Sequence, residues 1–184
     1  MNPRRRLGSG LRLVALAFAC ASAAAQPAGA EVNREQQVKA AYLYNFARFT
    51  TWPASKLARP DDPIRFCVQR GDPLAAAMHE ALDGKSIDEH PTQVLELTDA
   101  QAMRTCHLAY LGKRPGLQLD AELQALDNAE VVTVHEGESA RTAGIVRLFI
   151  EDNRLRFEIN MAAAERSHIG LSARLLGLAR VVRE

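Results

Sequence analysis

The sequence predicts an α/β domain whose sheet is largely parallel and closes with one antiparallel hairpin. Three observations point there. Short apolar and β-branched runs at residues 64–69, 92–97, 107–112 and 131–135 alternate with stretches of helical spacing, the pattern of repeated β-α-β units. Gly, Pro and Asp stand where one element must stop and the next begin. Near the end, two strand-like segments flank Asp152-Asn153, a two-residue hairpin turn.

The elements can be justified in chain order. Over residues 34–51, Val38, Ala41, Tyr42, Asn45, Phe46, Phe49 and Trp52 recur at three- and four-residue spacing. This predicts a helix with that stripe as its core face. Asn33 and Gln36 offer a capping box, and Pro53 ends the helix. A buried strand covers 64–69. Asp72 as N-cap and Pro73 at the first helical position then start a helix with Leu74, Met78, Ala81 and Leu82 inside, stopped by Gly84. Asp99 caps a short helix to about residue 104, and a helix over 120–126 joins the third strand to the fourth. The hairpin spans 145–151 and 154–159. In its second strand Leu155, Phe157 and Ile159 alternate with Arg154, Arg156 and Glu158, which places that strand at or near a solvated edge. Asn160 caps the segment after the hairpin. A last helix is expected over 169–182, with Leu171, Leu175, Leu178 and Val182 inside and Arg180 and Arg183 complementing its C-terminal dipole.

The N-terminus reads as an export signal over residues 1–25. Arg4, Arg5 and Arg6 precede an apolar run, residues 13–25, interrupted only by Ser22. That run is short of the roughly 20 residues a membrane span needs, and Ala23-Ala24-Ala25 suits a cleavage site. The minor alternative is a lipoprotein anchored through Cys20, but bulky Phe18 stands where such signals want a small residue. Residues 26–33 then form a flexible leader, and 34–184 one domain, long enough for its own core.

Removing the signal changes both charge and cysteine arithmetic. The chain has 23 basic and 22 acidic residues; without Arg4, Arg5, Arg6 and Arg12, 19 bases face 22 acids, a net of −3. No broad basic field remains, so nucleic acid is not an expected partner. Of three cysteines, Cys67 and Cys106 stay. An even count in an oxidising compartment favours a disulfide; two free buried thiols, or a metal or catalytic role, remain the other readings.

Catalytic signatures are missing from the sequence: no G-x-S-x-G, H-E-x-x-H, P-loop or G-x-G-x-x-G occurs. The expectation is a non-enzyme without cofactor or metal. Gly71-Asp72-Pro73 could present helix N–H groups to an anion, although Asp72 would repel it. His79, His90, His107, His135 and His168 are scattered without ligand spacing and read as surface or half-buried polar residues. Glu136, Glu138 and Ser139 come after the fourth strand, at the end of an α/β sheet where ligands commonly bind, but they read as an ordinary solvated loop.

Six blocks resemble one family in order: VKAAYLYNFARFTTWP (38–53), IRFCVQRGDP (64–73), CHLAYLG (106–112), VVTVHE (131–136), AGIVRLFIEDNRLRFEIN (143–160) and LSARLLGLARVV (171–182). They are similar to those of the YfiR-like family of bacterial periplasmic proteins. The resemblance implies a single Rossmann-like, three-layer domain with helices on both faces of the sheet. It also implies a regulator that binds the periplasmic sensor part of an inner-membrane diguanylate cyclase and inhibits it, controlling cyclic di-GMP and biofilm. An OmpA-like outer-membrane lipoprotein would sequester the regulator, and a homodimer is compatible with the family. The alternative is a periplasmic small-ligand sensor serving another receptor, such as a histidine kinase. Cys67 and Cys106 match the family's pair joining the first sheet strand to a neighbour. Redox-responsive members carry a second pair near 143–150, where this chain has no cysteine. Neither ligand-binding nor partner-binding residues can be read from the resemblance.

Overall fold

Strand Ile64–Gln69 (β2) is the strand about which the sheet is laid down. The computed structural model describes residues 28–137 and 144–182; the expected export signal, Glu138, Ser139 and Arg183 lie outside the described residues. Before β2 come helix α1 (Ala28–Arg48) and the two-residue strand β1 (Thr50–Thr51). After it the chain runs through α2 (Leu74–Leu82), β3 (Ser86–Ile87), β4 (His90–Leu97), a 3₁₀ turn (Ala102–Thr105), β5 (Leu108–Lys113), α3 (Gly116–Ala125) and β6 (Val132–Glu136). It closes with β7 (Val146–Glu151), β8 (Arg154–Asn160), α4 (Met161–Arg166), β9 (Gly170–Leu171), α5 (Ala173–Leu176) and β10 (Arg180–Val182).

The main sheet has the order β10-β8-β7-β6-β5-β2-β4-β3, while β1 and β9 form a separate antiparallel pair. β4, β2, β5, β6 and β7 are mutually parallel, so the chain crosses from one side of β2 to the other between β4 and β5. Alternate residues feed two apolar clusters, as strand geometry requires. Phe66, Leu108, Tyr110, Val132 and Val134 pack with α1 and α2. Cys67, Ala109, Leu111 and Val131 pack with α3 and Met103 of the 3₁₀ turn.

Most expected boundaries hold, with the caps as physical causes. Asp72 Oδ1 accepts the Leu74 N–H at 2.9 Å, Asp99 Oδ1 the Ala102 N–H at 2.9 Å, and Asn160 Oδ1 the Ala163 N–H at 2.9 Å. Asp152 and Asn153 both adopt positive φ (49° and 56°), the geometry of a two-residue turn that matches strand twist, and β7 pairs antiparallel with β8 across them. Asp88 and Glu89, also at positive φ, make the same kind of turn between β3 and β4. Their charged side chains gave no turn signal.

Several expectations are corrected. Helix α1 begins at Ala28, so it takes in residues 28–33 of the expected leader, and Asn33 lies inside the helix instead of capping it. The buried face of α1 is Ala40, Leu43, Phe46 and Ala47; of the expected core stripe, Val38, Ala41 and Asn45 are exposed, and Tyr42 and Phe49 are half-buried. The last helix over 169–182 does not form. Ser172 caps a single turn, α5, and beyond Gly177 the chain extends as β10, parallel to β8 with Arg180 opposite Glu158. One helical turn is too short to be stable alone, whereas the open edge of β8 offers a hydrogen-bonded ladder. Arg180 also reaches Glu151 at 2.6 Å and lies 4.8 Å from the centre of the Phe149 ring. The hairpin therefore does not finish the sheet; β8 is one strand in from its edge.

Candidate functional site

Two concave surfaces and one buried latch stand out. The first surface is a cleft of about 700 Å³ at the carboxyl ends of β5, β6 and β7, bordered by Lys39, Lys113, Arg114, Glu136, Gly137 and Arg147 among others. Lys39 projects from α1 towards it, 6% exposed. Its ammonium lies 2.8 Å from Glu136 and 2.6 Å from Glu35, one turn back on the same helix. Burial alone would lower the lysine pKa, but the hydrogen bonds and charge of Glu136 and Glu35 outweigh it and hold Lys39 above the ordinary value. Glu136 also accepts the Tyr110 hydroxyl. Burial, followed by the neighbouring carboxylate, pushes that phenol far above its usual range. Arg147 forks onto Glu158 at 3.2 and 2.9 Å and donates to the Gly137 carbonyl at 3.1 Å. Arg114 pairs with Gln69 and Glu122. Apart from exposed Lys113, the strand-end charges are thus used within the fold. They anchor α1 and the loops after β5 and β6.

Sequence reasoning named Glu136 in a solvated loop and missed Lys39, Glu35 and Tyr110. The available signal was Glu35 and Lys39 at i, i+4, with the lysine beside an apolar stripe. Gly71-Asp72-Pro73 is no anion site here: Asp72 caps α2 and the Gly71 N–H faces the Glu96 carboxylate at 3.4 Å.

The latch explains the Trp-Pro motif. Trp52 donates its indole N–H to the His107 carbonyl at 3.2 Å and meets that ring edge-on, 5.4 Å between centres. His107 Nδ1 accepts the Arg65 N–H at 3.0 Å, which leaves Nε2–H to donate to the Lys56 carbonyl at 3.1 Å. Burial and two neighbouring cations push its pKa down to about 4. His135, with burial as the main cause and Arg147 next, is also pushed down to about 4. Both rings are buried, which corrects the reading of these two as surface or half-buried groups; His79 and His168 are not buried. On the other side of the strand, Cys67 and Cys106 form a disulfide with Cα atoms 6.1 Å apart, fully buried. Among the described residues no cluster of three His, Cys, Asp or Glu side chains could hold a metal, and no helix is long and apolar enough to cross a membrane.

The second surface is a groove of about 560 Å³ between α1, β8 and α5. It is lined by Val38, Tyr42 and Phe46 of α1, by Phe49 just after it and by Leu178, together with Arg48, Arg156 and Arg174. The stripe expected to be core is thus largely the wall of this groove.

The domain thus pairs most of its strand-end charges internally and leaves an apolar groove open. The model of the YfiR/HmsC-like family matches residues 36–180, and the chain belongs to that family. Membership of this family fits a periplasmic regulator. No curated protein matches the chain.

Proposed function

We propose that this protein is an exported, periplasmic negative regulator. It binds the periplasmic sensor part of an inner-membrane diguanylate cyclase and holds the enzyme inactive, and an OmpA-like outer-membrane lipoprotein relieves the block by sequestering it. The observation that carries this reading is the family match across residues 36–180. The Rossmann-like, three-layer reading of the architecture is supported by the parallel core of the sheet and by the two clusters fed by alternate strand residues.

The physical requirement is simple. An exported domain without turnover acts on a cytoplasmic output by binding one conformation of a membrane protein more tightly than another. Shifting such an equilibrium from 99:1 to 1:99 needs a differential affinity of roughly 5.5 kcal/mol, and a specific contact of at least about 1,000 Å². Deleting the gene should raise cyclic di-GMP and surface attachment. Unchanged cyclic di-GMP in a deletion strain that expresses the proposed partner cyclase would remove the inhibitor reading and favour the small-ligand sensor.

A further inference from the structure

We propose that the groove between α1, β8 and α5 is where this domain docks, and that its occupant is a protein segment with an apolar centre and flanking carboxylates. The proposal rests on the regulatory reading only for the partner's identity as a membrane signalling protein.

The first argument is exposure. Val38 is 43% and Leu178 69% exposed, and both line the groove. Tyr42 and Phe49, half-buried, line it with them. Single exposed apolar residues need no explanation, but several lining one concavity mark an interaction site. Neither Val38 nor Leu178 owes its position to the core: Leu178 comes after Gly177, where the chain leaves α5, and Val38 sits one residue before buried Lys39.

The second argument is charge. Ion pairing alone does not distinguish the groove, since Arg59, Arg114, Arg147, Arg166 and Arg180 have a carboxylate partner whereas Arg34, Arg65, Arg70, Arg104 and Arg154, outside it, have none among the described residues. What distinguishes it is three unpaired arginines around an apolar wall that no acidic residue lines. Among the described residues Arg48, Arg156 and Arg174 enter no ion pair, and no acidic residue lines the groove. Arg48 and Arg174 lie 5.9 and 5.5 Å from the centre of the Phe49 ring, which places both guanidinium groups beside the apolar wall. A guanidinium offers a planar fork of donors that matches a carboxylate. Unpaired forks around an apolar wall thus specify the occupant: apolar in the middle, acidic at the sides.

Other occupants fit less well. A second copy meeting this groove across a two-fold axis would set three arginines against three. A lipid surface is flat on this scale, and the groove is concave.

The test uses the full chain in its native cell. Leu178→Asp, and separately the pair Arg156→Glu and Arg174→Glu, should raise cyclic di-GMP to the level of the deletion strain, with periplasmic abundance and thermal midpoint unchanged. Leu117→Asp is the control, since Leu117 is 85% exposed at the start of α3, away from the groove; it should leave repression intact. Because Leu178 is mostly exposed, its replacement should not prevent folding; Val38→Asp provides an independent probe of the same groove. A photo-crosslinking phenylalanine analogue at position 178 should give an adduct with a membrane protein, reduced about tenfold by the double arginine reversal. If deletion derepresses but the groove variants stay repressed, the docking site is wrong and the regulatory reading survives. If deletion changes nothing, the regulatory reading fails, and a crosslink to protein that depends on the arginines still supports the groove. Crosslinking only to lipid, or only to a second copy, overturns the proposal.

Discussion

The Lys39 ammonium on α1 lies 2.8 Å from the Glu136 carboxylate at the end of β6, although the two residues are 97 positions apart in the chain. This contact fixes the first helix against a strand of the parallel series. The two side chains are 7% and 18% exposed, so both charges are largely withdrawn from water and each depends on the other.

Lys39→Met should therefore destabilise the protein by about 2–4 kcal/mol, since it leaves Glu136 buried beside Tyr110 without its cation. Adding Glu136→Gln should recover part of that loss. Urea unfolding of the two single variants and the double variant provides the cycle. Strictly additive losses would show that the pair has no mutual stabilisation.

Removing the disulfide should weaken the fold without abolishing it. The bond spans a sequence separation of 39 residues, for which the chain-entropy model gives up to about 4 kcal/mol. Cys67→Ala with Cys106→Ala should lower the unfolding free energy by at most that amount and keep the native far-ultraviolet circular dichroism. Because both residues are wholly buried, mild reductant should leave the folded protein bonded. Rapid reduction under native conditions would contradict the placement.

The Trp52 indole N–H can be tested separately from its bulk. Trp52→Phe keeps an aromatic ring against His107 but removes the donor to its carbonyl, at a cost of about 1 kcal/mol beyond repacking. Trp52→Ala also opens a cavity and should cost roughly 3–5 kcal/mol. Equal losses in both variants would show that the hydrogen bond, and not the packing, dominates.

Acid should erode stability in a defined window. His107 and His135 are held neutral in the folded chain, their pKa values pushed from 6.5 down to about 4. The unfolded chain takes up those protons near 6.5, so between pH 6.5 and 4 it binds more protons than the native state. Stability is thus fully present above 6.5 and falls as pH drops towards 4, by roughly 2–3 kcal/mol per histidine. Unfolding free energies measured from pH 7 to 4 should show that slope, and His135→Leu should remove its share of it. A flat profile over this window would refute the assignment.

The sequence by itself determined the elements whose causes are local. Asp72, Asp99 and Asn160 cap the turns expected of them because an N-cap needs only a side-chain oxygen and N–H groups two or three residues on. The strand runs at 64–69 and 131–135 and the turn at Asp152-Asn153 were legible for the same reason, as was the pairing candidate Cys67 with Cys106. What only the tertiary structure decided were choices between partners. Residues 180–182 carry a helical apolar spacing, yet β8 had an unpaired edge and took them as a strand. On α1 the spacing identified an apolar stripe, but which way the helix rolls depends on Lys39 reaching Glu136 across the sheet. That roll buries Leu43 and Ala47 and leaves Val38 at the groove, beside arginines contributed by β8 and α5. Periodicity reports which residues share a face; only packing between distant segments decides which face is buried.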